Sequence, residues 1–426
     1  MRSPQPHVNS YYAASVNDPA RYPALKGAVK TDICVVGGGF SGVATALTLA
    51  ERGYSVALIE ANRIGWGASG RNGGQVICGI SGEAEIKRQH GEAGARLLRE
   101  LHYRGHDIIE ARIAKYAIGC DFKRGWMEVA ARPQHMTGLR EHYDELVSAG
   151  DAEHLELIEA QDFPRVLGTT AYHGGLIDRR SGHLHPLKLC LGEAGAAADL
   201  GVQIFEGSPA IEIRGGAKPC VVTDDGRVDA TTVVLAGEIF ERFNKPKLRG
   251  LMFPTGSYII ATEPLDEATV RAINPQDLAV ADTNVVLDYF RLSADRRMLF
   301  GGRCNYSNRD PTDIAAALTP RLVEIFPRLA GKRIDYSWGG RIGIIINRVP
   351  AIGRLEPNLY FMQGYCGHGV NATHIAAEIV SDAICGTHER FDVFDKIRHV
   401  RLPLSGWAGN QMLALGMLYY RLRDML

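Results

Sequence analysis

The stretch from Thr31 to Glu60 constrains this chain more than any other. Ile33-Cys34-Val35-Val36 is a short apolar run of the kind that forms a buried parallel strand, and Gly37-Gly38-Gly39-Phe40-Ser41-Gly42 follows it at once. Val43 to Arg52 is rich in Ala and Leu, as a helix packed on a sheet should be, and Val56-Ala57-Leu58-Ile59 reads as the next strand, ending at Glu60. Each glycine has a task at this spacing. Gly37 permits the turn out of the strand, Gly39 lets backbone approach a pyrophosphate, and Gly42 allows the helix to pack closely on the sheet. The helix N-terminus, with Phe40 and Ser41 in its first turn, offers free N–H groups and the positive end of its dipole to a phosphate. Glu60 ends the second strand, where a carboxylate accepts hydrogen bonds from both hydroxyls of an adenosine ribose. An α/β fold with a dinucleotide site is the expectation.

After Glu60 comes Ala61-Asn62-Arg63-Ile64-Gly65-Trp66-Gly67-Ala68-Ser69-Gly70-Arg71-Asn72-Gly73-Gly74-Gln75, glycine-dense enough for backbone to lie against a flat ring and a diphosphate. Near the other end, the apolar run Leu359 to Gln363 leads into Gly364-Tyr365-Cys366-Gly367-His368-Gly369 and then a helical pattern from His374 to Ile384. This repeats the logic of the first motif: strand, glycine turn, and a helix whose N-terminus stabilises negative charge.

On these residues the chain resembles the flavoprotein superfamily of D-amino-acid oxidase and sarcosine oxidase. The similarity to bacterial gamma-glutamylputrescine oxidases is closer. They pair the loop Gly67 to Gln75 with an N-terminal Ser-Tyr-Tyr-Ala-Ala-Ser, here Ser10 to Ser15. The resemblance implies FAD held by Gly37, Gly39, Phe40, Ser41, Gly42, Glu60 and Ala61, and by Gly67, Ala68, Ser69, Arg71, Asn72, Gly73, Gly74 and Gln75 of the loop. It places the backbone of Ala210 at the adenine, Ala236 and Gly237 beneath the cofactor, and Gly364, Gly367, His368 and Gly369 at the flavin. The flavin should be non-covalent, because Gly339 to Val349 lacks the cysteine that attaches it in sarcosine oxidases. Cys366 departs from the serine of the family's second turn and is expected to be a buried thiol, since no base pairs with it in the sequence.

The fold implied is α/β (α+β overall): a discontinuous Rossmann-like FAD-binding domain (30–82, 150–245 and 336–390) plus an antiparallel-sheet substrate domain (83–149 and 246–335). An N-terminal arm (1–29) and a C-terminal helical tail (391–426) complete it. The second sheet is read from Ser257 to Thr262, Val285 to Leu292 and Met298 to Gly301, where apolar and polar residues alternate between short turns. Within the first domain, Val221 to Thr223 and Val228 to Thr231 flank Asp224-Asp225-Gly226 as a hairpin.

Lys plus Arg and Asp plus Glu each number 48, so no broad basic field for nucleic acid is expected. The 8 cysteines are scattered without zinc spacing, and His183 with His185 lacks a third ligand, so no metal is expected. Scattered thiols and the lack of an apolar leader or spanning run suggest a soluble, cytoplasmic protein with no transmembrane segment. The apolar tail from Trp407 reads as a helix docked on its own protein, with a membrane surface as the alternative.

The chemistry implied by the resemblance is amine oxidation: hydride passes from a C–H bond beside nitrogen to flavin N5, and the imine hydrolyses to an aldehyde. His368, Arg71 and Asn371 lie near the flavin in this reading. Sarcosine oxidases carry a lysine for the substrate carboxylate where Asn371 stands. Its loss points to gamma-glutamylputrescine or a related acylated polyamine, with Tyr258, Tyr289 and Trp338 as candidate cavity walls. A secondary or cyclic amino acid such as pipecolate or sarcosine, bound through Arg71, is the alternative. An NAD(P)-dependent dehydrogenase would share the first motif but leave the loop and the second glycine turn unexplained. The electron acceptor, oxygen or another, is left open.

Overall fold

The computed structural model describes residues 4–401 except 239–242, 244 and 306–309; the expected tail helix from Trp407 lies outside the described residues. Two sheets organise it. In the first, strands run in the order 351–356, 359–363, 226–235, 27–36, 56–59 and 203–205, with a hairpin of 212–214 and 220–222 attached to 226–235. Five of these strands are parallel and their carboxyl ends lie side by side: Leu235, Val36, Ile59 and Phe205 end four of them in one row, and Phe361, two residues before the end of the fifth, lies beside Leu235. One carboxyl edge results, and everything that leaves a strand there enters the same crevice. Cys34, Val35, Ala57, Leu58, Val233 and Val234 are fully buried because helices or loops cover both faces. The expected hairpin around Asp225 is present, with Val228 opposite Val221.

The second sheet has the order 334–344, 253–262, 298–305, 289–292, 279–282, 123–129, 174–183 and 75–76, with 155–159 paired to 174–183. It is antiparallel except between Lys123–Val129 and Ala279–Asp282, which run parallel. Phe290, Phe300, Ile260, Phe326 and Leu322 form the core on one side of it.

The sheets divide the chain differently from the expected domain boundaries. Strands Leu155–Glu159, Gly174–His183 and Ile334–Ile344 belong to the second sheet. Helices Glu83–Leu101 and Arg104–Lys115 instead send Leu97, Leu98, Leu101 and Ile109 into the core that also holds Leu47, Ile375 and Ile379 of the first sheet's helices. Their apolar stripe has to be buried somewhere, and the helical layer on the first sheet is the surface it meets. The N-terminal arm is not wholly extended either. Tyr11–Ala14 forms one helical turn, capped by the Ser10 hydroxyl accepting from the Ala13 N–H, and Tyr11 and Tyr12 are buried.

Candidate cofactor and active site

At the carboxyl edge of the first sheet the glycines do what their spacing requires. Gly37 sits at φ +116°, and a Cβ there would come within 2.7 Å of the Ala236 carbonyl oxygen; a Cβ at Gly42 would collide with the Gly37 carbonyl. Ala236 is held level with the motif by its N–H to the Val36 carbonyl, 2.8 Å, and Gly237 follows it. Helix Phe40–Glu51 begins at Gly39 and carries no cap of its own; the Phe40 N–H is met by Ser69 Oγ of the glycine loop at 2.9 Å. The second long helix, Gly369–Ile384, begins at His368, also without a side-chain cap, and packs against the first. Two helix N-termini therefore open on one crevice, each with orphan N–H groups and a positive dipole end.

Glu60 accepts the Gly38 N–H at 2.7 Å and the Asn62 N–H at 2.8 Å. Burial raises its pKa against these bonds; each carboxylate oxygen takes one of the two, which leaves lone pairs for further donors such as ribose hydroxyls. Ala210 lies two residues past Ser208, whose N–H donates to the Glu60 carbonyl. A buried triad ties the two helices together. His374 places Nε2 3.1 Å from Glu193 and Nδ1 2.6 Å from the Val370 carbonyl, and Arg112 Nη1 donates to Glu193 at 2.8 Å. Burial pushes the Glu193 carboxyl up, but His374 and Arg112 outweigh it and hold it down to about 2. Arg112 also donates to the Ala44 carbonyl and Thr48, tying the triad to the motif helix.

The glycine loop is anchored residue by residue. Gly67 precedes the turn Ala68–Gly70, and Asn72 Nδ2 donates to the carbonyls of Ala68 and Ser69 while its Oδ1 accepts the Gly74 N–H. Gln75 accepts from Trp126 Nε1 and donates to the Val280 carbonyl, fixing the loop's end to the second sheet. Arg71 Nε donates to the Trp66 carbonyl at 2.8 Å and its guanidinium lies 4.4 Å from the Trp66 ring centre; Nη2 is buried with no partner among the described residues. Burial alone lowers the Arg71 pKa, to about 10.

The second glycine turn closes the crevice. Gly364 takes φ +80° and Gly367 +89°, and His368 Nε2 meets the Cys78 carbonyl at 2.8 Å. Cys366 is half-buried beside Ile345, and burial pushes its thiol up to about 11, which keeps it protonated at neutral pH. Asn371 is buried: Nδ2 donates to the Gly79 carbonyl at 2.8 Å, and its side chain lies against Gly105.

Of the three candidate wall residues, Tyr289 and Trp338 share a row of the second sheet, Tyr289–Gly301–Ile259–Trp338, on the face toward the loop. Tyr289 abuts Gly73, where a Cβ would come within 2.7 Å of its ring, and Trp338 Nε1 donates to the Arg71 carbonyl at 2.9 Å. Tyr258 precedes Ile259, so strand alternation turns it to the opposite face, into the Phe290 core, where its hydroxyl donates to Asp310. Among the described residues no group of three or more His, Cys, Asp or Glu side chains is placed to hold a metal ion. His185 caps helix Pro186–Asp199, with Nδ1 accepting the Lys188 N–H.

Three polar groups of this region escaped the sequence reading. Glu206 accepts from Arg63, from the Ile64 N–H and from the Tyr22 N–H, fixing the chain just after Glu60. Glu238, two residues past Ala236, accepts the N–H groups of Gly364 and Gly343, and burial pushes its carboxyl up to about 7. Arg291 donates to the Gly73 carbonyl at 2.7 Å. A charged residue inside the apolar strand Tyr289–Leu292 was the one available signal.

The residues fit FAD. Two uncapped helix N-termini, a carboxylate short of donors at a strand end, a glycine cradle and an unpaired buried guanidinium nitrogen are what an adenosine diphosphate joined to a flat ring requires.

Comparison with known proteins agrees. The chain is 39% identical over 422 residues to gamma-glutamylputrescine oxidoreductase of Escherichia coli (strain K12), covering 99% of each. It is 38% identical to probable oxidoreductase OrdL of Haemophilus influenzae, covering 99% of this chain and 98% of that one. Among solved structures, glycine oxidase from Bacillus cereus superposes with a TM-score of 0.70 at 20% identity, over 88% of this chain and 100% of that one. Among the described residues no helix is long and apolar enough to cross a membrane. Residues 32–383 match the FAD dependent oxidoreductase (DAO) family, and the chain belongs to it: it is an FAD-dependent oxidoreductase.

Proposed function

We propose that the chain oxidises the free terminal amine of an acylated diamine, with gamma-glutamylputrescine as the leading substrate. The observation that carries this reading is the end-to-end similarity, 39% over 99% of both chains, to an enzyme named for that compound. Bound FAD supplies the hydride acceptor. In this reading FAD is held without a covalent link at Gly37, Gly39, Gly42, Glu60, the loop 67–75, Ala236 and the turn 364–369, with the first sheet as the cofactor domain and the second facing substrate. His368 orders that turn through the Cys78 carbonyl.

The chain's own tasks are to orient the amine, exclude water and favour its uncharged form. Burial in the loop region pulls even the Arg71 guanidinium down to about 10. An alkyl ammonium, with an ordinary pKa near 10, is driven toward its neutral form by the same desolvation. Asn371 spends its amide on the Gly79 carbonyl, so this position supplies no charge for a carboxylate beside the reacting carbon. Tyr289, half-buried, offers aromatic surface to an extended methylene chain, while Trp338 is buried against Tyr12 and supports the loop from behind.

A second reading has one observation in its favour. Arg71 Nη2 is buried without a partner among the described residues, which suits the carboxylate of pipecolate or sarcosine. Steady-state assays with a dye acceptor and with oxygen separate the two. The expected result is a kcat/KM for gamma-glutamylputrescine more than about tenfold above that for sarcosine, proline or pipecolate, a difference of about 1.4 kcal/mol. The reverse preference would assign the Arg71 nitrogen to a substrate carboxylate. Acid precipitation of the yellow protein should release all the flavin; colour left in the pellet would contradict non-covalent binding.

A further inference from the structure

The N-terminal Ser-Tyr-Tyr-Ala-Ala-Ser and the buried Arg291 have no place in the chemistry above, and the structure joins them. Arg291 is 4% exposed and has no carboxylate within ion-pair distance among the described residues. Strand alternation puts it with Tyr289 on the face toward the glycine loop, while Phe290 points into the core behind. Its Nε donates to the Gly73 carbonyl (2.7 Å), Nη1 to the Leu292 carbonyl (3.0 Å), and Nη2 to the Leu184 carbonyl (2.8 Å) and the Tyr12 hydroxyl (3.1 Å). Tyr12 is fully buried, its ring centre 5.3 Å from Trp338 and 4.9 Å from His185. Trp338 in turn holds the Arg71 carbonyl, and Ser15 Oγ lies 3.0 Å from His185 Nε2.

The consequence falls on the loop. The carbonyls of Arg71, Gly73 and Gly74 are all taken, by Trp338, Arg291 and the Leu184 N–H. The N–H groups of Arg71, Asn72 and Gly74 are satisfied within the loop, which leaves the Gly73 N–H without a partner among the described residues. Gly73 is half-buried, so this donor is open to a ligand laid against the loop. Beside it stands a desolvated positive charge that no acid neutralises, and in a medium of low dielectric such a charge acts on negative charge that develops nearby.

We propose that Tyr12 and Arg291 are positioning residues for the loop 71–74: the N-terminal turn and the buried cation fix its carbonyls on the protein side and present the Gly73 N–H and a positive field to the cofactor. This rests on the reading that the loop faces the flavin. The test uses the full-length holoenzyme carrying Tyr12→Phe, Arg291→Lys or Arg291→Met, with Asn72→Ala as a direct perturbation of the loop. Read for each are the reduction potential of bound FAD, its dissociation constant and the thermal midpoint. Arg291→Met is expected to weaken FAD binding by more than about tenfold and to make the potential more negative. Arg291→Lys, which keeps the charge, should restore the potential more than the affinity. Tyr12→Phe loses one acceptor and should shift the flavin readouts in the same direction by less, with only a small fall in the thermal midpoint. It keeps the test decisive if Arg291→Met does not fold. If Asn72→Ala moves the potential while the Tyr12 and Arg291 variants leave it at the wild-type value, positioning by this cluster is overturned and the loop reading stands. If none of the four moves it, the loop does not face the flavin and the proposal falls with that reading.

Discussion

The carboxyl edge of the first sheet and the loop-facing side of the second sheet are built by opposite means. At the edge the working groups are backbone: N–H groups at two helix starts, a carbonyl that leaves no room beside Gly37, a strand end at Glu60. On the second sheet they are side chains brought from far apart in sequence, with Tyr12, Trp338 and Arg291 meeting around residues 71–74. Backbone geometry demands glycine at fixed spacing and therefore leaves a motif. Side chains that converge by long-range packing leave none.

The largest effect should come from breaking the backbone side. Gly39→Val puts a branched side chain where a single Cβ already comes within 2.8 Å of Ser69 Oγ, at the start of the motif helix. The variant should purify without flavin, as its visible spectrum will show; full occupancy would mean that this helix start does not hold the diphosphate. Glu60→Ala comes next. It removes a carboxylate that orders the Gly38 and Asn62 N–H groups, and a charged hydrogen bond lost to the cofactor is worth about 1.5–3 kcal/mol, roughly tenfold or more in FAD affinity. Reconstitution of the apoprotein followed by flavin fluorescence measures it.

The side-chain side is probed by pH. Burial, with Arg291 adding to it, holds His183 and His185 down to about 3. Unfolded histidine titrates near 6.5. Below that pH the unfolded chain binds protons that the folded chain refuses, so the stability from keeping these rings neutral is complete above about 6.5 and is lost as pH falls toward 3. Each unit of depression is worth about 1.4 kcal/mol. Thermal midpoints should therefore fall steadily from neutral pH to pH 4, and a His185→Asn variant, which keeps a capping acceptor, should fall less. Equal slopes would remove His185 from this balance. The smallest effect is expected for Trp338→Phe, which keeps the ring but gives up the bond to the Arg71 carbonyl, about 1 kcal/mol by denaturant unfolding.

The contrast also explains what the sequence disclosed. The strand, turn and helix around Gly37 and the hairpin at Asp225 follow from local rules of packing and turn chemistry, and were legible. Which sheet a strand joins is not local. Gly174–His183 and Ile334–Ile344 adjoin first-sheet segments in the sequence, and only their partners put them in the second. The same holds for helices Glu83–Leu101 and Arg104–Lys115, whose stripes did not reveal the surface they cover. Tyr258, Tyr289 and Trp338 looked equivalent as aromatic residues in strands. Register separates them, because Tyr258 is one residue out of phase with the row that reaches the loop.

The central claim is the substrate, and anaerobic titration of the purified yellow protein tests it most directly. With oxygen and other acceptors excluded, gamma-glutamylputrescine should bleach the flavin band in stoichiometric amounts, while sarcosine, proline and pipecolate leave it yellow at the same concentration. Bleaching by one of those amino acids while gamma-glutamylputrescine leaves the band untouched would contradict the assignment.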